Sequence, residues 1–143
     1  FCFQRLEFPS SYHIEWPGRS PRNAWVQAFE WVRENTPGSA LFALDPRYMH
    51  RPGQDYYGFR AYAERSTLAD NEKDASAVAV FPDLAWQWNL EVTDRENWAQ
   101  FTLADFERLK KKYGVTWVIV EQPGVAGLSC LYANRAVMVC QIP

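Results

Sequence analysis

Glycine is sparse where phosphate chemistry would need it: the seven glycines are scattered, and neither GxGxxG nor GxxxxGK[ST] occurs. Without such a run there is no backbone cradle for a nucleotide phosphate. Histidine is scarcer, with only His13 and His50, and no Cys/His spacing suits zinc. No GxSxG elbow marks a serine hydrolase. No metal or cofactor is therefore expected. Three cysteines are too few for a disulfide framework. No stretch approaches the ~20 apolar residues of a membrane helix, and the start, Phe1-Cys2-Phe3, has neither an initiator Met nor a charged leader. The expectation is a domain belonging to a longer protein. A one-sided charge is also missing. Fifteen basic and 17 acidic residues give a net charge of -2, so nucleic acid is not expected as a partner. The one dense basic run, Lys110-Lys111-Lys112, closes a predicted helix, where cations complement the helix dipole.

Aromatics are abundant: seven Trp, seven Tyr and nine Phe in 143 residues. They either build a bulky core or reach a surface that meets sugar, lipid headgroup or another domain, because Trp and Tyr need partners for their polar ends. The length suits one domain.

Residues 1–22 carry Pro9, Pro17 and Pro21 without a sustained period and read as an extended lead-in; residues 23–143 read as a single soluble α/β domain. Ser20-Pro21 looks like an N-cap with proline at the first helical position. Trp25, Ala28, Phe29 and Val32 then recur at helical spacing up to Asn35-Thr36-Pro37-Gly38, predicting an amphipathic helix near 22–35. The apolar run 40–44 predicts a strand covered on both faces, ended by Asp45-Pro46. Phe59, Ala61 and Ala63 alternate with Arg60, Tyr62 and Glu64, predicting a second strand over 58–65. Residues 67–81 read as weakly helical, and Leu84, Ala85 and Trp88 after Pro82 as another helix.

Thr102-Leu103-Ala104-Asp105 resembles a capping box, Leu103, Phe106, Leu109 and Tyr113 form a stripe, and Gly114 closes the helix. A buried strand over 115–120 follows. Cys130 to Ile142 reads as a hairpin around Asn134-Arg135-Ala136, which sets Cys130 opposite Cys140, either as a disulfide or as two buried thiols. The expected class is α/β: a mostly parallel sheet flanked by helices in Rossmann-like layers, with a C-terminal antiparallel hairpin.

One polar cluster stands out: Asp45, His50, Asp55, Arg60, Arg65, Asp70, Lys73 and Asp74. It lies downstream of the first strand's C-terminal end, where open α/β sheets bind ligands. Two readings stay open. Carboxylates and arginines there suit a cation, phosphate or carboxylate ligand, and they equally suit ion pairs that tether a long loop.

The string Trp31-Val32-Arg33-Glu34-Asn35-Thr36-Pro37, then Ala40-Leu41-Phe42 and Asp45-Pro46, resembles a segment of bacterial polytopic membrane proteins. Further matches are Phe59-Arg60, Arg65-Ser66, Lys73, Trp86, Tyr113-Gly114-Val115, and Tyr132 with Asn134. In that family a soluble domain follows the last transmembrane helix of glycosyltransferase-like proteins that use polyprenyl-linked sugars. Catalysis there belongs to membrane-embedded acidic residues in other loops. The resemblance implies a non-catalytic accessory domain on the extracytoplasmic, periplasmic face of a membrane. Its partners would be its own transmembrane region and a sugar or lipid-linked sugar. A carbohydrate- or headgroup-binding module and a small metal-dependent enzyme are the alternatives.

Overall fold

The structure, a computed structural model, describes residues 23–54 and 56–143. Helix α1 spans Ala24–Asn35. Its cap is Asn23, whose side-chain oxygen accepts the N–H groups of Trp25 at 2.9 Å and Val26 at 3.3 Å. That satisfies two of the donors a helix start leaves open. The Ser20-Pro21 start expected from sequence lies outside the described residues, as does the lead-in over 1–22. Trp25, Ala28, Phe29 and Val32 are buried, as their spacing requires. Thr36 ends the helix, its hydroxyl donating to Val32 O at 2.7 Å.

Five strands form one sheet: β1 Leu41–Ala43, β2 Ser66–Thr67, β3 Trp117–Glu121, β4 Ser129–Ala133 and β5 Val137–Gln141, in the order β2-β1-β3-β5-β4. β1 pairs with β2 and β3 in parallel. β5 runs antiparallel to β3 and to β4. The sheet is thus mixed, which corrects the expectation of a mostly parallel one. The hairpin explains it: the short turn at Asn134 forces β4 and β5 to run antiparallel, and β5 then inserts beside β3, also antiparallel, so two of the four strand pairs are antiparallel.

Alternation splits the sheet into two covered faces. Phe42, Trp117, Ile119, Val137 and Val139 pack with Phe29 and Val32 of α1 and with Phe59 and Ala63. Ala43, Val118, Val120 and Cys140 pack with Trp98, Phe101, Phe106 and Leu109. The result is an open mixed sheet between helical layers. At the far strand pair Cys130 lies opposite Cys140, and the two are joined as a disulfide, with their α-carbons 3.8 Å apart. The turn between them is built by Asn134, whose side-chain oxygen accepts the N–H groups of Ala136 and Val137, each at 3.0 Å.

The stretch read as a strand over 58–65 is instead helix α2, Phe59–Ala63, followed by the two residues of β2. Phe59 and Ala63 fit a two-residue alternation and a four-residue helical repeat equally well. Burial settles the choice, since both are fully buried while Ala61 is exposed. Tyr48 helps start the helix, its hydroxyl accepting the Phe59 N–H at 2.8 Å. Glu64, in the left-handed region at φ 51°, ends it. Within 67–81 only Lys73–Val80 is helical, as α3. Pro82 opens a single 3-10 turn that leads into α4, Ala85–Thr93. Helix α5 spans Leu103–Tyr113, between Thr102 with Asp105 at one end and Gly114, φ 78°, at the other. Among the described residues no helix is long and apolar enough to cross a membrane.

Candidate functional site

Asp45 follows β1 and Asp70 follows shortly after β2, so both lie beyond the C-terminal ends of parallel strands, with β3 ending beside them at Glu121. Asp45 is buried. One of its oxygens accepts the Arg47 N–H at 2.8 Å, and the other takes Nε of Arg51 at 2.8 Å and its terminal amino group. Arg51 Nε also lies 2.9 Å from a carboxylate oxygen of Glu121. Burial works against the Arg51 charge, but the Asp45 hydrogen bond and the two carboxylates outweigh it and its pKa rises. This triad ties the loop after β1 to the end of β3.

Between the two loops lies Arg95, 1% exposed. Its guanidinium donates to Glu91 O at 2.9 Å, to Leu44 O at 2.7 Å and to Ala69 O. One side chain therefore clamps the chain leaving β1, the chain leaving β2 and the end of α4. Burial pushes its pKa down to about 10, with Glu91, Asp45 and Asp70 pulling the other way; it remains a cation at neutral pH. Glu91 supports the same clamp, accepting the Ala69 N–H at 2.8 Å and the Gln87 amide at 2.9 Å.

Asp70, also buried, caps the start of α3: one oxygen accepts N–H groups from Glu72 at 2.9 Å and Lys73 at 2.6 Å. Asp74 returns the favour by accepting the Asp70 N–H at 2.8 Å. Arg60 forks onto Asp74 at 2.7 and 2.9 Å, reaches Thr67 O at 3.1 Å, and stands 3.7 Å from Asp70. Burial opposes its charge, and the Asp74 hydrogen bond and nearby carboxylates prevail, raising its pKa.

Of the remaining predicted residues, His50 meets Glu72 at 2.5 Å through Nε2 and the Tyr56 hydroxyl at 3.2 Å through Nδ1. Lys73 begins α3 and lines a cavity of about 370 Å³ that Asp70 and Arg60 also border. Arg65 lies elsewhere, before β2. It donates to Arg33 O at 2.7 Å and Thr36 O at 2.6 Å, and to Ala63 O and Glu64 O at 3.4 and 3.0 Å. It thus caps the C-termini of α1 and α2 together, where carbonyls point outward and a cation is favoured. Asp55 lies outside the described residues. The structure therefore brings Arg60, Asp70, Asp74 and Lys73 together, sets Asp45 in a separate triad, and keeps Arg65 apart.

Sequence reasoning passed over Arg95, Glu91, Arg51, Glu121 and Tyr48. The i,i+4 spacing of Glu91 and Arg95 around buried Val92 was a signal for the first two. Arg51, between a histidine and a proline in a loop, offered none.

Asp45 with Arg51 and Glu121, and Arg60 with Asp74, are thus committed to one another. Among the described residues no three His, Cys, Asp or Glu side chains gather as metal ligands would. Comparison with protein-family models and with curated proteins found no match to this chain.

Proposed function

We propose that this chain is a non-catalytic accessory domain on the extracytoplasmic face of an integral membrane protein of the kind that transfers lipid-linked sugars. The observation that carries the reading is the crest of the hairpin formed by α3 and α4. Val80, Phe81, Leu84 and Trp86 are 69%, 61%, 49% and 75% exposed there, next to one another in sequence. A cluster of large apolar side chains held out on a helical turn marks a surface that meets another apolar body. Its own transmembrane region is the partner this reading assigns.

Two further features support it. The Cys130–Cys140 disulfide suits an oxidising compartment such as the periplasm. The ion pairs of Asp45 and Arg60, and the carbonyl contacts of Arg65, hold loops and helix ends rather than presenting reactive groups. We read the β2-β1-β3 half, with helices on both faces, as Rossmann-like layering, which makes the loops after β1 and β2 the functional end.

A photo-crosslinking residue in place of Trp86, in the complete protein within native membranes, tests the reading. Adducts with a membrane-embedded segment or with lipid are expected. A complete reading frame without apolar segments of ~20 residues would overturn it.

A further inference from the structure

We propose that the cavity beneath Tyr56 binds a single pyranose carrying an anionic group, such as a hexose 1-phosphate or a hexuronate. Its volume is about 370 Å³, and Tyr56, Tyr57, Tyr62, Arg60, Asp70 and Lys73 line it. That is near the lower end of the roughly 300–1,000 Å³ of ligand pockets, room for one ring rather than a chain of them.

The walls suit a sugar. Tyrosine offers an apolar face for the C–H side of a pyranose and a hydroxyl for its polar rim, and it loses little conformational freedom on binding. Tyr57 and Tyr62 brace each other edge to face, with centroids 5.2 Å apart at 86°. Tyr56 stands at the mouth, 57% exposed. Its backbone sits at φ 60°, a left-handed conformation that a bulky residue rarely adopts. Strain of this type collects where a side chain is held out for a ligand. The His50 ring fixes its orientation, perpendicular at 5.3 Å.

Charge selects the anion. Arg60 is committed to Asp74, whereas the Lys73 ammonium has no ion pair among the described residues. Lys73 is also the first residue of α3, where the helix dipole disfavours a cation. Among the described residues no ion pair offsets that cost, and an anion in the cavity would. Asp70 supplies the complementary acceptor. One of its oxygens is taken up by backbone N–H groups, while the other stands 3.7 Å from Arg60, too far for a hydrogen bond, and is left for a sugar hydroxyl.

This site deepens the accessory-domain reading by naming the sugar-phosphate end of a lipid-linked sugar as a ligand, but its chemistry rests on the cavity alone. The test titrates the whole chain with glucose 1-phosphate, galactose 1-phosphate, mannose 1-phosphate, glucuronate, methyl glucoside and inorganic phosphate, followed by calorimetry and NMR. Saturable binding of at least one anionic sugar is expected, with methyl glucoside and inorganic phosphate each weaker. Lys73→Met should weaken it about tenfold, the loss of one charge-assisted hydrogen bond. Tyr56→Ala should weaken it too, and Trp86→Asp should leave it unchanged. Melting curves check that each variant folds. No saturable binding by any anionic sugar, unchanged binding in both Lys73→Met and Tyr56→Ala, or inorganic phosphate binding as tightly as the sugars would each overturn the proposal. Soluble probes involve no membrane, so failure here leaves the docking role of the α3–α4 crest standing, and failure of the crosslinking test leaves the cavity standing.

Discussion

Replacing Arg95 by Leu should be the most damaging single change at the loop end of this sheet. The guanidinium is 1% exposed and donates to the carbonyls of Leu44, Ala69 and Glu91. Leucine fills part of the volume but donates nothing. The Glu91 carbonyl lies near the end of α4, whereas those of Leu44 and Ala69 belong to loops. Each buried acceptor left without a partner costs about 1–3 kcal/mol. Two of them cost roughly 2–6 kcal/mol, and the carboxylates of Asp45, Asp70 and Glu91 lose their shared cation as well. Breaking a buried charge network by removing one partner costs about 3–5 kcal/mol in other proteins, so about 4 kcal/mol is the expected loss. For a chain of this length that lowers the melting temperature by roughly 10–20 °C. Urea denaturation followed by Trp fluorescence measures it, with Arg95→Lys as the companion variant. Lysine keeps the charge and reaches fewer carbonyls, so its loss should be smaller. A loss under about 1 kcal/mol for Arg95→Leu would refute the clamp, because the two loops would then be held by something else.

Asp105 gives a test by pH. The Thr102 backbone N–H, then its hydroxyl, hold the Asp105 carboxyl below its ordinary value of 3.8, with Arg108 helping and burial opposing. A carboxylate whose pKa is lower in the folded state contributes stability above 3.8 and loses it as the pH falls through the folded value. Asp105→Ala should cost about 1 kcal/mol at neutral pH, and the gap to the parent should close in strong acid; an unchanged gap between urea midpoints would contradict the capping box. Thiol counting under denaturing, non-reducing conditions should find one free thiol, Cys2, of three. Reduction should then cost about 2–3 kcal/mol for a loop this short, and a count of three would remove the disulfide.

The legible parts of this fold were those in which one local rule operates undisturbed. Helix α5 could be read to the residue, because Thr102, Asp105 and Gly114 mark its ends and Phe106 and Leu109 its buried face. Trp117, Ile119, Val118 and Val120 announce a strand packed on both sides. Residues 58–67 were not legible in the same way. Phe59 and Ala63 satisfy both periods, and the deciding contact comes from Tyr48, which is eleven residues upstream and meets Phe59 only through tertiary structure. The polar cluster was half legible. Its location followed from strand direction, but which acid meets which base is set by how α3 and α4 fold back. Arg95, the side chain that holds the loops together, lies far along the chain from both Leu44 and Ala69. Arg65 resembled a ligand contact because its role as a double helix cap depends on two helices ending at one point.

Asn134 has a further consequence, one that concerns time rather than energy. Its amide donates to Ala24 O at 2.6 Å, a contact that spans 110 residues, and Tyr132 stacks on Trp31 at 5.3 Å. The apolar face of α1 also packs against Val137 and Val139. During synthesis, therefore, the first described helix can meet Tyr48 and Phe59 early but waits for nearly the last residues before Val137 and Val139 exist, on the order of ten seconds at ordinary elongation rates. Throughout that interval the cover over Trp25, Phe29 and Val32 is incomplete. A ribosome-stalled chain ending before residue 137 should bind holdase chaperones through this helix, and one extended beyond the β5 strand should release them. For this architecture the closing hairpin acts as the completion signal of folding.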